Sequence, residues 1–338
     1  MSKQPIILGI ESSCDDTSAA ILQGNKILSN IIANQDVHAQ YGGVVPELAS
    51  RAHQQNIIPT VDAAIKKANI NKEDIDAIAF TKGPGLLGSL LVGSSFSKSF
   101  AIGMGIPLIT VNHMQGHILS HFIDEGEKMP EFPFLCLTVS GGHTQIVRVD
   151  SPSNMEVIGT TIDDAAGEAF DKSAKILGLP YPGGPLIDKY GKNGNINAFE
   201  FGKPKVKELD FSFSGLKTSI LYKIQNNTQK NPNFIQENLE DLCASIQHSI
   251  VSILIKKIEK AIKQTGIKQL AIAGGVSANS YLRKQLTDLA TAKNYQLYIP
   301  KFEYCTDNAA MIAIAGYFKY LEKDFAKQDE TPSARLPF

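Results

Sequence analysis

Residues 5–22 read PIILGIESSCDDTSAAIL, two short apolar runs on either side of a polar loop from Glu11 to Asp16. Runs of this length predict strands, so the stretch reads as a hairpin whose tip presents backbone amides, hydroxyls and carboxylates. A similar unit returns at residues 134–149, FLCLTVSGGHTQIVRV, with Thr17 and Thr144 near the ends of the two loops. A third apolar run, QLAIAGGV at 269–276, ends in a glycine pair and enters SANSYLRKQL, where Ser277 or Asn279 is placed to cap a helix. Helical stretches lie between, at 47–68, 88–103 and 239–265. Strands and helices alternating in two similar halves predict an α/β protein with mixed sheets.

At 338 residues, with 43% hydrophobic and 20% charged side chains, the chain has material for two domains with their own cores. A net charge of −1 gives no general attraction to nucleic acid or anionic membrane, so any such contact must be local. The first apolar run is too short for a signal peptide and no later run reaches membrane-spanning length, so a cytoplasmic protein with no membrane partner is expected. Cys14, Cys136, Cys243 and Cys305 stand far apart without a Cys-x-x-Cys pair, as reduced thiols do. The stretch 181–217, rich in proline, glycine and lysine, is the least regular and reads as a surface excursion.

The run NHMQGH at 112–117 sets His113 and His117 on one face of a helix, the smallest unit able to hold a transition metal. Met114 stands where a zinc protease needs its glutamate base, so peptide hydrolysis is disfavoured. A third ligand is available in CTDNAAM: Asp307, which reads equally as a helix-capping carboxylate. Two histidines and one carboxylate with open positions suit non-heme iron or catalytic zinc. GPGLLGS at 83–89 has P-loop glycine spacing, but Ser89 occupies the place of the essential lysine, which leaves a turn feeding a closely packed helix. SGGHT and AGGVSAN each read equally as a tight turn or a phosphate loop when taken alone; together, after strands in two similar halves, they favour a nucleotide held between two lobes. In IDDAAGEAFDKSAK, Asp163 or Asp164 can cap a helix, Glu168 suits a solvated face, and Asp171 with Lys175 suits a surface ion pair.

The segments GIESSCDDTSAAI, YGGVVPELASRAH, KGPGLLGSLLVG, NHMQGH, VSGGHTQ, IDDAAGEAFDKSAKILGLPYPGGP, FSFSGLKT, AGGVSANSYLR and TDNAAMIA, in this order, resemble the tRNA N6-adenosine threonylcarbamoyltransferase family, once described as glycoprotein endopeptidases. The resemblance covers nearly the whole chain and is to the bacterial form. It implies a two-lobed actin, heat-shock-protein and sugar-kinase fold with duplicated mixed sheets and helices on both faces. One lobe would span residues 1–133, completed by 302–338, and the other 134–301. It implies transfer of the threonylcarbamoyl group from threonylcarbamoyl-adenylate to N6 of adenosine 37 in tRNAs reading codons that begin with A. The implied metal ligands are His113, His117 and Asp307, holding Fe2+, with Zn2+ as the alternative ion. The implied substrate residues are Thr138, Val139, Ser140, Gly141, Gly142, Asp171, Gly184, Asp188 and Asn279. Gln115 stands where many bacterial relatives carry glutamate, between the ligands and not one of them. Implied partners are tRNA, an inactive paralogue and a small ATPase. An ATP-hydrolysing chaperone or kinase of the same superfamily would share the phosphate loops without needing the histidine pair, and a metallopeptidase would use the metal but lacks its base.

With only four arginines, tRNA phosphates would have to be met by clustered lysines. Lys203, Lys205, Lys207 and Lys217, with Lys189 and Lys192 nearby, form the best cluster; its alternative role is to keep a loop soluble.

Overall fold

The computed structural model describes residues 4–35, 38, 41–202, 204 and 206–338. The strands are β1 (Ile6–Glu11), β2 (Thr17–Gln23), β3 (Lys26–Ala33), β4 (Ala77–Gly83), β5 (Leu108–Asn112), β6 (Phe134–Val139), β7 (Thr144–Ser151), β8 (Asn154–Thr160), β9 (Gln269–Ala273) and β10 (Gln296–Tyr298). The α-helices are α1 (Pro46–Ala68), α2 (Leu87–Met104), α3 (His113–Leu119), α4 (Ala166–Ile176), α5 (Gly183–Gly191), α6 (Ser214–Thr228), α7 (Phe234–Glu237), α8 (Leu239–Thr265), α9 (Ser280–Lys293) and α10 (Ala309–Glu322). They fall into two compact units: Met1–Pro130 with Pro152–Asn154 and Pro300–Phe338, and Glu131–Ser151 with Met155–Ile299.

In the first unit the sheet order is β3-β2-β1-β4-β5. β1 and β2 form the antiparallel hairpin, while β1, β4 and β5 run parallel. Every residue of β1 is buried, as expected of a strand covered on both faces. Side chains alternate between those faces: Ile6, Leu8 and Ile10 pack with Ile57 and Val61 of α1 and Ala101 of α2. Gly9 points the other way, where a Cβ would sit 2.5 Å from the Ala309 carbonyl oxygen and 2.8 Å from the Ala313 Cβ. The small residues of α10 thus let that helix lie directly on the sheet, and glycine in β1 is what the close approach requires.

The second unit repeats the plan. Its sheet order is β10-β9-β6-β7-β8, with β6 and β7 antiparallel and β6, β9 and β10 parallel. The hairpin of residues 134–149 is therefore the topological copy of the hairpin at 6–23. In α8, Leu242, Ile246, Ile250, Leu254 and Ile258 recur every fourth position and are all buried, giving the core a continuous apolar stripe.

The stretch 181–217 is not simply a surface excursion. It contains α5, and Phe201, Leu209, Phe211 and Phe213 are buried in the core of the second unit. Phe211 bridges to Thr161, and its ring stacks on that of Phe213 at 6.4 Å. Alternation gives this stretch the look of a loop: the buried Leu209, Phe211 and Phe213 alternate with Asp210 and Ser212. Among the described residues, no helix is long and apolar enough to cross a membrane.

Candidate metal centre and substrate loops

The metal candidates come together within the first unit. α3 begins immediately after β5, and Asn112 caps it, its Oδ1 accepting from the Met114 amide at 2.9 Å and the Gln115 amide at 3.4 Å. One helical turn then brings His113 and His117 to the same side, their rings 4.8 Å apart and perpendicular. Asp307 arrives from the other direction, just before α10. The N-cap of α10 is Asn308, whose side chain accepts from the Met311 amide at 3.1 Å, so Asp307 is not consumed by capping. Its Oδ1 lies 3.2 Å from His117 Nε2 and 3.4 Å from His113 Nε2. One donor atom from each of the three residues lies within 4.8 Å of the others.

Behind this trio stands Glu11, the last residue of β1, which is 1% exposed. Its Oε2 accepts from Thr81 Oγ1 at 2.6 Å and from His113 Nδ1 at 3.1 Å, and its Oε1 accepts from the Ser13 amide. Ser13 Oγ is also 3.1 Å from His113 Nδ1. With the His113 proton held on Nδ1, Nε2 is directed at Asp307, the arrangement by which an outer carboxylate orients a metal-binding imidazole. His117 has no such outer carboxylate: its side chain is fully buried and its Nδ1 has no hydrogen-bond partner, so packing and the Nε2 contact to Asp307 set its orientation.

Burial disfavours a charged His113, but Asp307 and Glu11 outweigh it and hold the imidazole well above its ordinary range. Burial likewise opposes ionisation of Asp307, yet His113 and His117 keep this carboxyl well below the usual carboxylate range. Two imidazoles and one carboxylate, with an outer carboxylate behind one ring, form a donor set that fits a divalent iron or zinc ion. Burial first, then the nearby Asp307 and Asp15, push the thiol of Cys14 up, which disfavours its nucleophilic thiolate form.

The remaining candidate residues lie in the second unit. Thr138 and Val139 are fully buried at the end of β6, and Thr138 Oγ1 turns back toward the Gln145 carbonyl. Ser140 closes the loop, its amide donating to the His143 carbonyl at 2.8 Å and its Oγ accepting from the His143 amide at 3.1 Å. Gly141 and Gly142 are open, with no protein atom within 4 Å of where a Cβ would stand. Asp171 does not pair with Lys175: its Oδ1 accepts from the Gly183 and Gly184 amides at 2.9 and 3.1 Å, at the start of α5. Burial raises its pKa despite those two bonds. Asp188 accepts from the Ser280 amide and hydroxyl, and Asn279 caps α9 through the Leu282 amide while donating to Gln247 Oε1 at 2.8 Å.

Asp163 caps a helix, but not the one that follows it. Its carboxylate accepts from the Phe213 and Ser214 amides at 2.8 and 3.3 Å, at the start of α6. Asp163→Ala is therefore expected to lower stability by about 1–2 kcal/mol, read as a reduced urea midpoint. The (i, i+4) pair in this region is Glu168 with Lys172, at 2.7 Å.

Three residues beyond the ligand motifs matter here: Glu11, Ser13 and Thr81. Glu11 leaves a trace in the sequence as an acid closing an otherwise apolar strand, whereas nothing local marks Thr81, which reaches Glu11 only because β4 lies beside β1.

Duplicated five-stranded mixed sheets joined to a two-histidine, one-carboxylate cluster define the class: an actin, heat-shock-protein and sugar-kinase fold carrying a metal-type site. The solved structure of full-length HypF in its phosphate- and nucleotide-bound form aligns with a TM-score of 0.62 at 15% identity, covering 95% of this chain and 47% of that one, a likeness of fold alone. The family model for tRNA N6-adenosine threonylcarbamoyltransferase matches residues 26–314. The protein of that name from Christiangramia forsetii is 64% identical over 340 residues, covering 100% of both chains, and that from Riemerella anatipestifer is 61% identical, covering 98% of both. The chain belongs to the tRNA N6-adenosine threonylcarbamoyltransferase family.

Proposed function

We propose that this chain transfers a threonylcarbamoyl group to N6 of an adenosine in tRNA, with threonylcarbamoyl-adenylate as donor and adenosine 37, in tRNAs reading codons that begin with A, as acceptor. The observation that carries the chemistry is the convergence of His113, His117 and Asp307 with Glu11 behind them. In the transfer, the adenine amine attacks the carbamoyl carbon, a C–N bond forms, the bond from that carbon to the adenylate phosphate oxygen breaks, AMP departs, and N6 loses a proton. A divalent metal, Fe2+ by the family resemblance, when bound supplies Lewis-acid polarisation. His113, His117 and Asp307 would hold it, and Glu11, bonded to His113 Nδ1, would fix the orientation of that ring. The exposed Gly141 and Gly142, with open space where a Cβ would stand, leave room for an anionic or nucleoside group, and Asp171, Gly184, Asp188 and Asn279 shape the neighbouring α5 and α9 termini. A kinase or chaperone reading gains nothing from the histidine cluster.

The assay that tests this is reconstitution with labelled threonylcarbamoyl-adenylate and tRNA: label enters tRNA if the proposal holds. ATP loss without labelled tRNA would replace it with the chaperone or kinase reading, and peptide cleavage with the peptidase reading.

An inactive paralogue and a small ATPase are the expected protein partners. In support of a partner surface, α1 and α2 carry the exposed apolar residues Ile58, Leu87, Leu91 and Ile102.

For tRNA, Lys189, Lys192 and Lys207 are exposed, and Lys217 is paired with Asp164 at 3.5 Å. Lys203 and Lys205 lie outside the described residues. Changing Lys203, Lys205 and Lys207 to glutamate is expected to weaken tRNA binding and reduce the magnitude of its logarithmic salt slope by up to about 3, about one per lost phosphate contact, while adenylate binding stays normal. Filter binding across a salt series reads this directly; an unchanged slope would move the tRNA surface elsewhere.

A further inference from the structure

We propose that residues 330–337 form a strap that positions the metal-binding helix α3, with Asn112 as the positioning residue that joins the two. The proposal rests on reading His113, His117 and Asp307 as a metal site. After α10 the chain returns along the edge strand β5, where Ala326 donates to the Leu108 carbonyl at 2.7 Å. Glu330 then pairs with Lys82 at 2.7 Å and accepts from Lys98 Nζ through its carbonyl. The Ser333 amide donates to the Lys82 carbonyl at 2.8 Å, and the Ala334 carbonyl accepts from the Gly85 amide at 3.2 Å. Pro337 ends this path at Asn112, whose Nδ2 donates to the Pro337 carbonyl at 2.9 Å.

The strap reaches the histidines by two routes. In the first, one amide group works in both directions: Asn112 Nδ2 grips the strap while Oδ1 caps α3 through the Met114 and Gln115 amides. His113 is the next residue and His117 one turn further. In the second, the loop after β4 is held on both sides, because the Gly85 amide binds the strap and the neighbouring Leu86 amide donates to the Ser13 carbonyl at 2.7 Å. Ser13 Oγ touches His113 Nδ1 at 3.1 Å. The strap thus bears on the His113 backbone through the cap and on its imidazole through Ser13.

Covering an edge strand is the simpler role for such a segment. That role calls for backbone pairing along β5, yet beyond Ala326 the bonds go elsewhere, to the Lys82 carbonyl, the Gly85 amide and the Asn112 side chain. Gly83 is shaped for the contact: it has φ +149°, and a Cβ there would overlap the Ser333 carbonyl oxygen. Supports behind metal ligands hold ring orientation and typically contribute 10–100-fold in affinity.

Two variants test this in the full chain. Asn112→Ser keeps a hydroxyl able to cap α3 but removes the amide donor to Pro337. Deletion of residues 331–338 removes the strap and leaves the cap. In the metal-free protein, amide hydrogen exchange over 113–119 should quicken by about tenfold or more in both, and Co2+ affinity should fall by about tenfold, the lower end of such effects. Combining the two changes should add nothing beyond the deletion. If both variants melt earlier but keep wild-type exchange over 113–119 and wild-type Co2+ affinity, the strap only stabilises the fold and the positioning role is overturned. If wild-type protein and His117→Ala bind Co2+ equally, the metal reading itself fails, and exchange over 113–119 then decides the strap alone.

Discussion

Replacing His117 with alanine will weaken divalent-metal binding by more than about 100-fold and lower threonylcarbamoyl transfer with it. Loss of an outer support alone costs 10–100-fold, and His117 belongs to the trio itself, leaving only His113 and Asp307. The two histidines should differ in what their loss exposes. His113→Ala leaves Glu11, 1% exposed, with its Thr81 and Ser13 hydrogen bonds but without a cationic partner, a buried charge that is costly to the fold. His117→Ala takes one partner from Asp307, but that side chain is 31% exposed and keeps His113, so this variant should fold more nearly as wild type and give the cleaner result. Metal content after anaerobic purification, followed by chelator competition, reads the first effect; label transferred from threonylcarbamoyl-adenylate to tRNA reads the second. Full metal content in His117→Ala would remove this residue from the site.

What was legible depended on how far apart the interacting residues stand. The two hairpins were plain because β1, β2, β6 and β7 are short apolar runs around polar tips, and their duplication is the fold's organising feature. The histidine pair was visible because one helical turn is a local spacing. Asp307 was ambiguous from its own neighbourhood, where capping and ligation call for the same residue type. Asn308 takes the cap, which leaves the Asp307 carboxylate beside both rings. Thr81 and the strap were out of reach, because they act through strand order and through a return of the chain to β5. The stretch 181–217 misled because its composition is that of a loop, while the aromatic residues that bury it alternate with polar ones.

Glycine motifs mislead in a related way, and two substitutions will separate them. SGG and AGG look alike in sequence, each closing a buried strand, yet their glycines answer to different constraints. Gly274 has φ +87°, and a Cβ there would lie 2.6 Å from the Val139 carbonyl oxygen, because β9 runs directly beside β6. Valine at Gly274 must therefore either distort the backbone or part the two strands, and several kcal/mol of lost stability are expected, on the order of overpacking plus left-handed strain. Gly142 carries neither constraint: apart from its chain neighbours, nothing lies within 4 Å of where its Cβ would stand. Gly142→Val should accordingly melt within about 1 kcal/mol of wild type, as ordinary surface substitutions do. If the open loop receives the adenylate, the isopropyl group will occupy the ligand's place and weaken binding by about tenfold or more, the scale of one disrupted charge-assisted contact. Thermal melts and adenylate titrations on the two variants give opposite patterns under this account. Equal loss of stability in both would mean that the 140–142 loop is packed after all, and unchanged adenylate affinity in a well-folded Gly142→Val would take the loop out of the substrate site.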